Sequence, residues 1–173
     1  MIYIHPKAEP FFLSGSRETA LLFLHGFTGS PSEVFPAAKK IHEICGCTLS
    51  GPLLPGHGSD PRFLNRLDWQ DWYQAAEKEI RFLQTEYEKV FAAGLSMGGL
   101  LTIHAGVCLK NLQGIISINA PIYSNAPFLD FTSKLIAYVQ PYYRKKTGRN
   151  CVSWPAWDAL LMKSCLLGVT RAC

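Results

Sequence analysis

The sequence is poor in charge: Asp, Glu, Lys and Arg make up 17% of its 173 residues, against 48% hydrophobic. That balance excludes an intrinsically disordered chain, which cannot bury enough apolar surface to offset its entropy. It also lacks any apolar run approaching the ~18 residues of a membrane span. No charged stretch followed by an apolar one opens Met1-Ile2-Tyr3-Ile4-His5-Pro6-Lys7, so no secretory leader is legible and the cytoplasm is the expected compartment. The net charge of +4 is unevenly placed, with 10 Lys/Arg and 11 Asp/Glu in residues 1–120 but 7 and 2 in residues 121–173. The single basic run, Arg144-Lys145-Lys146, reads as a solvated helix end, and nucleic acid is not an expected partner. Six cysteines do not make a disulfide scaffold here, and Cys45 and Cys47 have no second pair to complete a zinc site. No metal is expected. Neither G-x-G-x-x-G nor G-x-x-x-x-G-K-[ST] occurs, which removes the dinucleotide and P-loop readings.

What is present is an alternation of short apolar runs with longer helical patterns, the signature of a mostly parallel sheet flanked by helices. Ala20-Leu21-Leu22-Phe23-Leu24 reads as a strand buried on both faces. Ser32 is the expected cap of a helix running to about Ile44 and ended by Gly46. Cys47 to Ser50 is the next strand, and Gly51 to Pro61, with its glycines and prolines, a loop. Asp68 caps a helix over Trp69 to Tyr87, whose apolar face is Trp72, Ala76, Ile80 and Leu83. Strands follow at Val90–Ala93 and Gly114–Ile118, separated by a helix from Gly98 to about Leu109. Beyond Pro121 the pattern changes: Phe128, Phe131, Leu135, Val139 and Tyr142 mark an amphipathic helix, and no further strand of comparable quality is expected.

Between strand and helix stands Gly94-Leu95-Ser96-Met97-Gly98-Gly99. A serine in a tight strand-to-helix turn projects its hydroxyl clear of the sheet, and small flanking residues let strand and helix approach. The helix N-terminus then offers N–H groups and a dipole that favour negative charge. The G-x-S-x-G pattern alone is weak, and the preceding strand and following helix give it weight. Ser96 is therefore the candidate nucleophile.

With His25-Gly26-Phe27 after the first buried strand, the chain resembles the α/β-hydrolase superfamily. Its HGFTGSP segment and Gly-Leu-Ser-Met-Gly-Gly resemble small bacterial carboxylesterases and monoacylglycerol lipases. The resemblance covers about residues 9–147 and includes Pro55-Gly56-His57-Gly58, Asp71-Trp72 and Ala120-Pro121-Ile122-Tyr123. It implies an α/β-hydrolase fold and an oxyanion hole formed by the backbone N–H groups of Met97 and Phe27, with the same two residues at the substrate pocket. It also implies attack of Ser96 on an ester carbonyl and an acyl-enzyme, with no cofactor. By the same resemblance, His25 positions the oxyanion loop.

A serine needs a base, and in this fold the acid and then the histidine follow the nucleophile. Only His104 follows Ser96, eight residues along one helix, which at 1.5 Å per residue is about 12 Å away. His104 is expected to be packed or solvated, His42 and His5 to be surface or packing residues. His57 sits between glycines and is weighed as a surrogate base. Asp130 and Asp158, the acids after Ser96, follow no recognisable strand and are not nominated.

The resemblance thus implies a chain with its C-terminal strands missing, shortened by truncation or frameshift, or else a natural short variant. Residues 1–121 are expected to form the N-terminal part of the hydrolase core, and 122–173 a partial cap and a divergent tail. The function implied is hydrolysis of carboxylic esters with an apolar acyl chain, impaired in this chain. The alternative is a non-catalytic binding or interaction protein on the same fold. A thioesterase or peptidase also fits the fold, since fold does not set the leaving group. Oligomeric state is not legible.

Overall fold

In the computed structural model, residues 4–122 and two short strands at 142–145 and 152–155 are described. After a 3-10 turn at Pro6–Ala8 come β1 (Phe11–Leu13), β2 (Ser16–Leu24), α1 (Pro31–Cys45), β3 (Cys47–Gly51), α2 (Pro61–Leu64), α3 (Trp69–Glu86), β4 (Lys89–Leu95), α4 (Met97–Cys108) and β5 (Leu112–Ile118). The five strands form one sheet in the order β1-β3-β2-β4-β5. β1 runs antiparallel to β3 and every other pair is parallel, as the alternating pattern predicts.

The sheet is buried on both faces near its centre. Leu22 and Leu24 of β2 and Ala92 of β4 meet Trp72, Ile80 and Leu83 of α3 and Leu101 of α4 on one side. Leu21, Phe23, Leu49 and Ala93 meet Val34 and Ala38 of α1 on the other. This alternation explains why β2 reads as a continuous apolar run: each face supplies a separate core. β5 pairs with β4 alone among the described residues, and its Ile115, Ile116 and Ile118 are 42%, 50% and 37% exposed.

Helix α3 begins where its sequence predicts. Asp68 accepts from the N–H groups of Gln70 and Asp71, and Asp71 accepts in return from the N–H of Asp68. Helix α1 starts two residues early: its N-cap is Ser30, with Pro31 in the first turn, not Ser32. Proline suits that position because the N–H it lacks has no intrahelical partner there. Gly46 ends α1 with φ +64°, as expected of a C-terminal glycine. α2 emerges from a stretch read as loop.

Most of the expected cap helix lies outside the described residues. Tyr142, however, opens β6 (Tyr142–Lys145), which pairs antiparallel with β7 (Val152–Pro155). Arg144 and Lys145 therefore stand in a strand and not at a helix end. Tyr142 satisfies both the helical spacing and the strand, and four-residue runs such as β6 and β7 give little periodicity to read. No helix among the described residues is long and apolar enough to cross a membrane.

Candidate active site

The chain crosses the sheet at β2, with β3 on one side and β4 on the other. Loops leaving these three parallel strands at their C-terminal ends lie where open α/β sheets place their binding sites. His25-Gly26-Phe27 follows β2, the Pro52–Ser59 segment follows β3, and Ser96 follows β4.

Ser96 joins β4 to α4 with φ 55° and ψ −114°, outside the regions that L-residues favour. Its N–H donates to the carbonyl of Ile118 at 2.8 Å, and its own carbonyl accepts from Leu100 at 3.2 Å. The turn is as tight as its glycines allow. A Cβ on Gly94 would collide with the backbone of Gly98, and one on Gly98 would stand 2.5 Å from the carbonyl of Leu24 and 2.6 Å from that of His25. These close approaches bring the β2 loop against the serine: a Cβ built on Gly26 would lie 3.5 Å from the Cβ of Ser96. Ser96 is half-buried, and Met97, the first residue of α4, is buried.

His25 is fully buried and uses both ring nitrogens. Nε2 accepts the backbone N–H of Leu54 at 3.1 Å, so the proton resides on Nδ1, which donates to the carbonyl of Gly26 at 2.9 Å. The same carbonyl accepts from the N–H of Gly29 at 3.1 Å. Because the Gly26 carbonyl and the Phe27 N–H are opposite ends of one planar trans peptide, these two donors set the direction of the Phe27 N–H. Burial, with the neighbouring His57 ring, pushes the His25 pKa down to about 3, so the ring is neutral at pH 7.

The Phe27 side chain is buried, 5.4 Å from Trp72 and 6.0 Å from His57 between ring centroids. His57, weighed as a surrogate base between its glycines, is also buried, and desolvation lowers its pKa to about 4. Its Nδ1 donates to the carbonyl of Pro55 at 3.0 Å, which also accepts from Nε1 of Trp72 at 3.1 Å. Its Nε2 has no hydrogen-bond partner among the described residues. Thus Leu54 and Pro55 tie the loop after β2 to α3. Leu54 carries no signal in the sequence because its backbone N–H makes the bond, whereas Pro55 belongs to the Pro55-Gly56-His57-Gly58 motif of the resemblance.

His104 is packed as expected, edge-on to Trp69 and Tyr73 at 5.2 and 4.4 Å, with Nε2 3.6 Å from Sγ of Cys108. Desolvation lowers its pKa against an opposing pull from Glu77. His42 donates to the carbonyl of Cys47 at 2.8 Å, and His5 caps the first 3-10 turn. No cluster of three or more His, Cys, Asp or Glu suited to a metal exists among the described residues. Asp130 and Asp158 lie outside them.

The model of the alpha/beta hydrolase family matches residues 21–167 of this chain. A thermostable monoacylglycerol lipase of Bacillus sp. (strain H-257) is 34% identical over 115 residues, 66% of this chain and 45% of that protein. A carboxylesterase of Bacillus subtilis (strain 168) is 33% identical over 151 residues, 87% of this chain and 58% of that protein. The chain thus spans about half the length of the curated relatives it matches. A solved structure described as "LipS and LipT, two metagenome-derived lipolytic enzymes" aligns over 96% of this chain and 70% of its own, at 28% identity and TM-score 0.74. The monoacylglycerol lipase of Paleococcus ferrophilus, 14% identical, shares the fold over 94% of this chain and 71% of its own, with TM-score 0.67.

Proposed function

This chain belongs to the alpha/beta hydrolase family, and from that premise we propose that it carries the nucleophile and oxyanion hole of a carboxylic-ester hydrolase. Ser96 is the nucleophile of this reading, and the N–H groups of Met97 and Phe27 are the oxyanion donors. The observation that carries it is the approach of Gly26 to Ser96, with the Gly26–Phe27 peptide anchored through its carbonyl. Attack on an ester carbonyl builds charge on its oxygen. Preset N–H donors stabilise that charge without reorganising, each worth ~3–4 kcal/mol by removal of comparable donors. Collapse of the tetrahedral intermediate expels the alcohol and leaves an acyl-enzyme on Ser96. Buried Phe27 and Met97 favour an apolar acyl chain, as the names of the lipase and carboxylesterase relatives suggest.

In this reading the chain by itself turns esters over slowly. Both nitrogens of His25 are engaged, His57 and His104 are buried and neutral at pH 7, and the sequence holds no histidine after His104. Loss of the base costs a serine hydrolase about 10⁶ in kcat, leaving ~10³–10⁴ over water from binding and the oxyanion hole. The test is hydrolysis of short p-nitrophenyl esters alongside fluorophosphonate labelling. Residual turnover well below that of a complete hydrolase, with slow fluorophosphonate labelling that is absent in Ser96→Ala, is the expected result. Robust turnover that survives this substitution would remove Ser96 from the role. The second reading, a non-catalytic binding protein, is favoured by the neutral, fully occupied His25 ring and predicts no Ser96 labelling at all.

A further inference from the structure

The one disulfide among the described residues joins Cys45 to Cys47 across a single residue, Gly46, with Cα atoms 5.3 Å apart. We propose that Cys45-Gly46-Cys47 is a reversible thiol–disulfide exchange site, at which a low-molecular-weight thiol of the glutathione type attacks the sulfur of Cys45. This function is independent of Ser96 and of the ester-hydrolysis reading.

The two cysteines are unlike in their surroundings. Cys45 is the exposed last residue of α1, and Gly46 beside it is exposed, with nothing within 4 Å of where a Cβ would stand. An incoming thiolate therefore meets open space in front of the bridge. Cys47 opens β3 and is buried in the cluster that includes Leu21, Val34 and Leu49. Access decides which sulfur is attacked, so the entering thiol bonds to Cys45 and Cys47 is the leaving group.

The turn does not need the bridge to keep its shape. The N–H of Gly46 donates to the carbonyl of His42 at 2.8 Å, and the carbonyl of Gly46 accepts from Ser16 at 2.8 Å. The His42 ring donates to the carbonyl of Cys47 at 2.8 Å. With backbone and ring holding the turn, the two thiols stay neighbours after reduction and can close again without refolding. The N–H of Cys47 also points at Sγ of Cys45, 3.2 Å away, which keeps the two sulfur-bearing residues in register.

The exchange balances in two steps. A thiolate RS⁻ bonds to the sulfur of Cys45 as the Cys45–Cys47 bond breaks, and the Cys47 thiolate released takes a proton from water. A second RS⁻ then bonds to the sulfur of the attached R group, releasing the Cys45 thiolate, which is protonated. Two RSH are oxidised to RSSR while the protein disulfide is reduced to two thiols.

The whole chain is incubated in glutathione buffers of varied reduced-to-oxidised ratio, alkylated and digested with trypsin. The peptide from Ile41 to Arg62 contains Cys45 and Cys47 and no other cysteine. Its disulfide form should convert to the doubly alkylated form and back as the ratio is varied, with the circular dichroism of the folded chain unchanged. Cys47→Ser should accumulate a glutathione adduct on Cys45 about tenfold or more faster than Cys45→Ser accumulates one on Cys47. The proposal is overturned by a disulfide that yields to glutathione only after denaturant is added. It is equally overturned by a dithiol that oxidised glutathione cannot close, or by equal adduct rates in the two variants. The wild-type titration decides even where a variant fails to fold.

Discussion

Nε2 of His25 accepts the backbone N–H of Leu54 at 3.1 Å, joining two loops that leave the adjacent strands β2 and β3. That bond also fixes the tautomer, so the other nitrogen must donate to Gly26. One buried side chain thereby sets the plane of the Gly26–Phe27 peptide. His25→Ala strands the Leu54 N–H and frees that peptide. The expected cost is about 2–4 kcal/mol in urea unfolding, from an unsatisfied buried donor plus a cavity. Fluorophosphonate labelling of Ser96 should slow in proportion to the loss of loop order. An unchanged labelling rate in a folded variant would detach His25 from the site.

Stability should depend on pH through two rings. The folded pKa values of His25 and His57, about 3 and about 4, lie below the ordinary value of 6.5. The unfolded chain therefore binds more protons than the folded one below pH 6.5. Stability is fully present above that pH and is lost as pH falls toward 4 and 3, by up to about 1.4 kcal/mol per pH unit for each ring. Urea midpoints measured from pH 7.5 to 4.5 should fall, and His57→Phe should flatten the slope. A midpoint constant over that range contradicts the burial of both rings.

Glycines at the two ends of the site should respond differently. Ala at Gly98 must fit a Cβ against the carbonyls of Leu24 and His25, which is backbone that cannot yield, and the cost is expected at about 3 kcal/mol or more. Ala at Gly46 meets open space and suffers only its positive φ, about 1–2 kcal/mol. Thermal unfolding of both variants should rank them in that order.

Ser96 itself carries strain. With φ 55° and ψ −114°, a serine there costs about 1–3 kcal/mol, part of which glycine would relieve. Ser96→Gly should raise stability by about 1 kcal/mol, after allowing for the extra freedom of glycine in the unfolded chain. It should also abolish labelling. A destabilised Ser96→Gly would mean that the serine hydroxyl contributes more than its backbone costs.

Among the described residues β5 is an edge strand, and its exposed isoleucines predict self-association, because an apolar edge invites pairing. Ile116→Lys should reduce light scattering at equal concentration. Scattering unaffected by the charge would place the contact elsewhere.

Much of the fold was legible because local signals agreed with one another. Apolar runs marked the central strands, Asp68 and Asp71 marked the start of α3, and Gly46 marked the end of α1. The Ser30 cap was missed by two residues because two serines flank Pro31, and propensity does not choose between them. β6 is hidden in the sequence because its first residue, Tyr142, also satisfies a helical spacing. The C-x-C spacing of Cys45 and Cys47 reads only as an incomplete zinc pair, since spacing alone does not say whether two sulfurs face each other.

The sequence by itself determined the layered α/β plan and the position of Ser96 between strand and helix. These follow from periodicity and glycine placement, which act over a few neighbouring residues. Only the tertiary structure decided what His25 and His57 are. Both lie beside loops that a local reading leaves open to solvent. They are buried and neutral because β2, β3 and α3 converge on them, supplying the Leu54 N–H and Pro55 carbonyl that hold the rings and the apolar walls that remove their charge. Desolvation and hydrogen-bond partners come from chain segments tens of residues away, so no local pattern contains them.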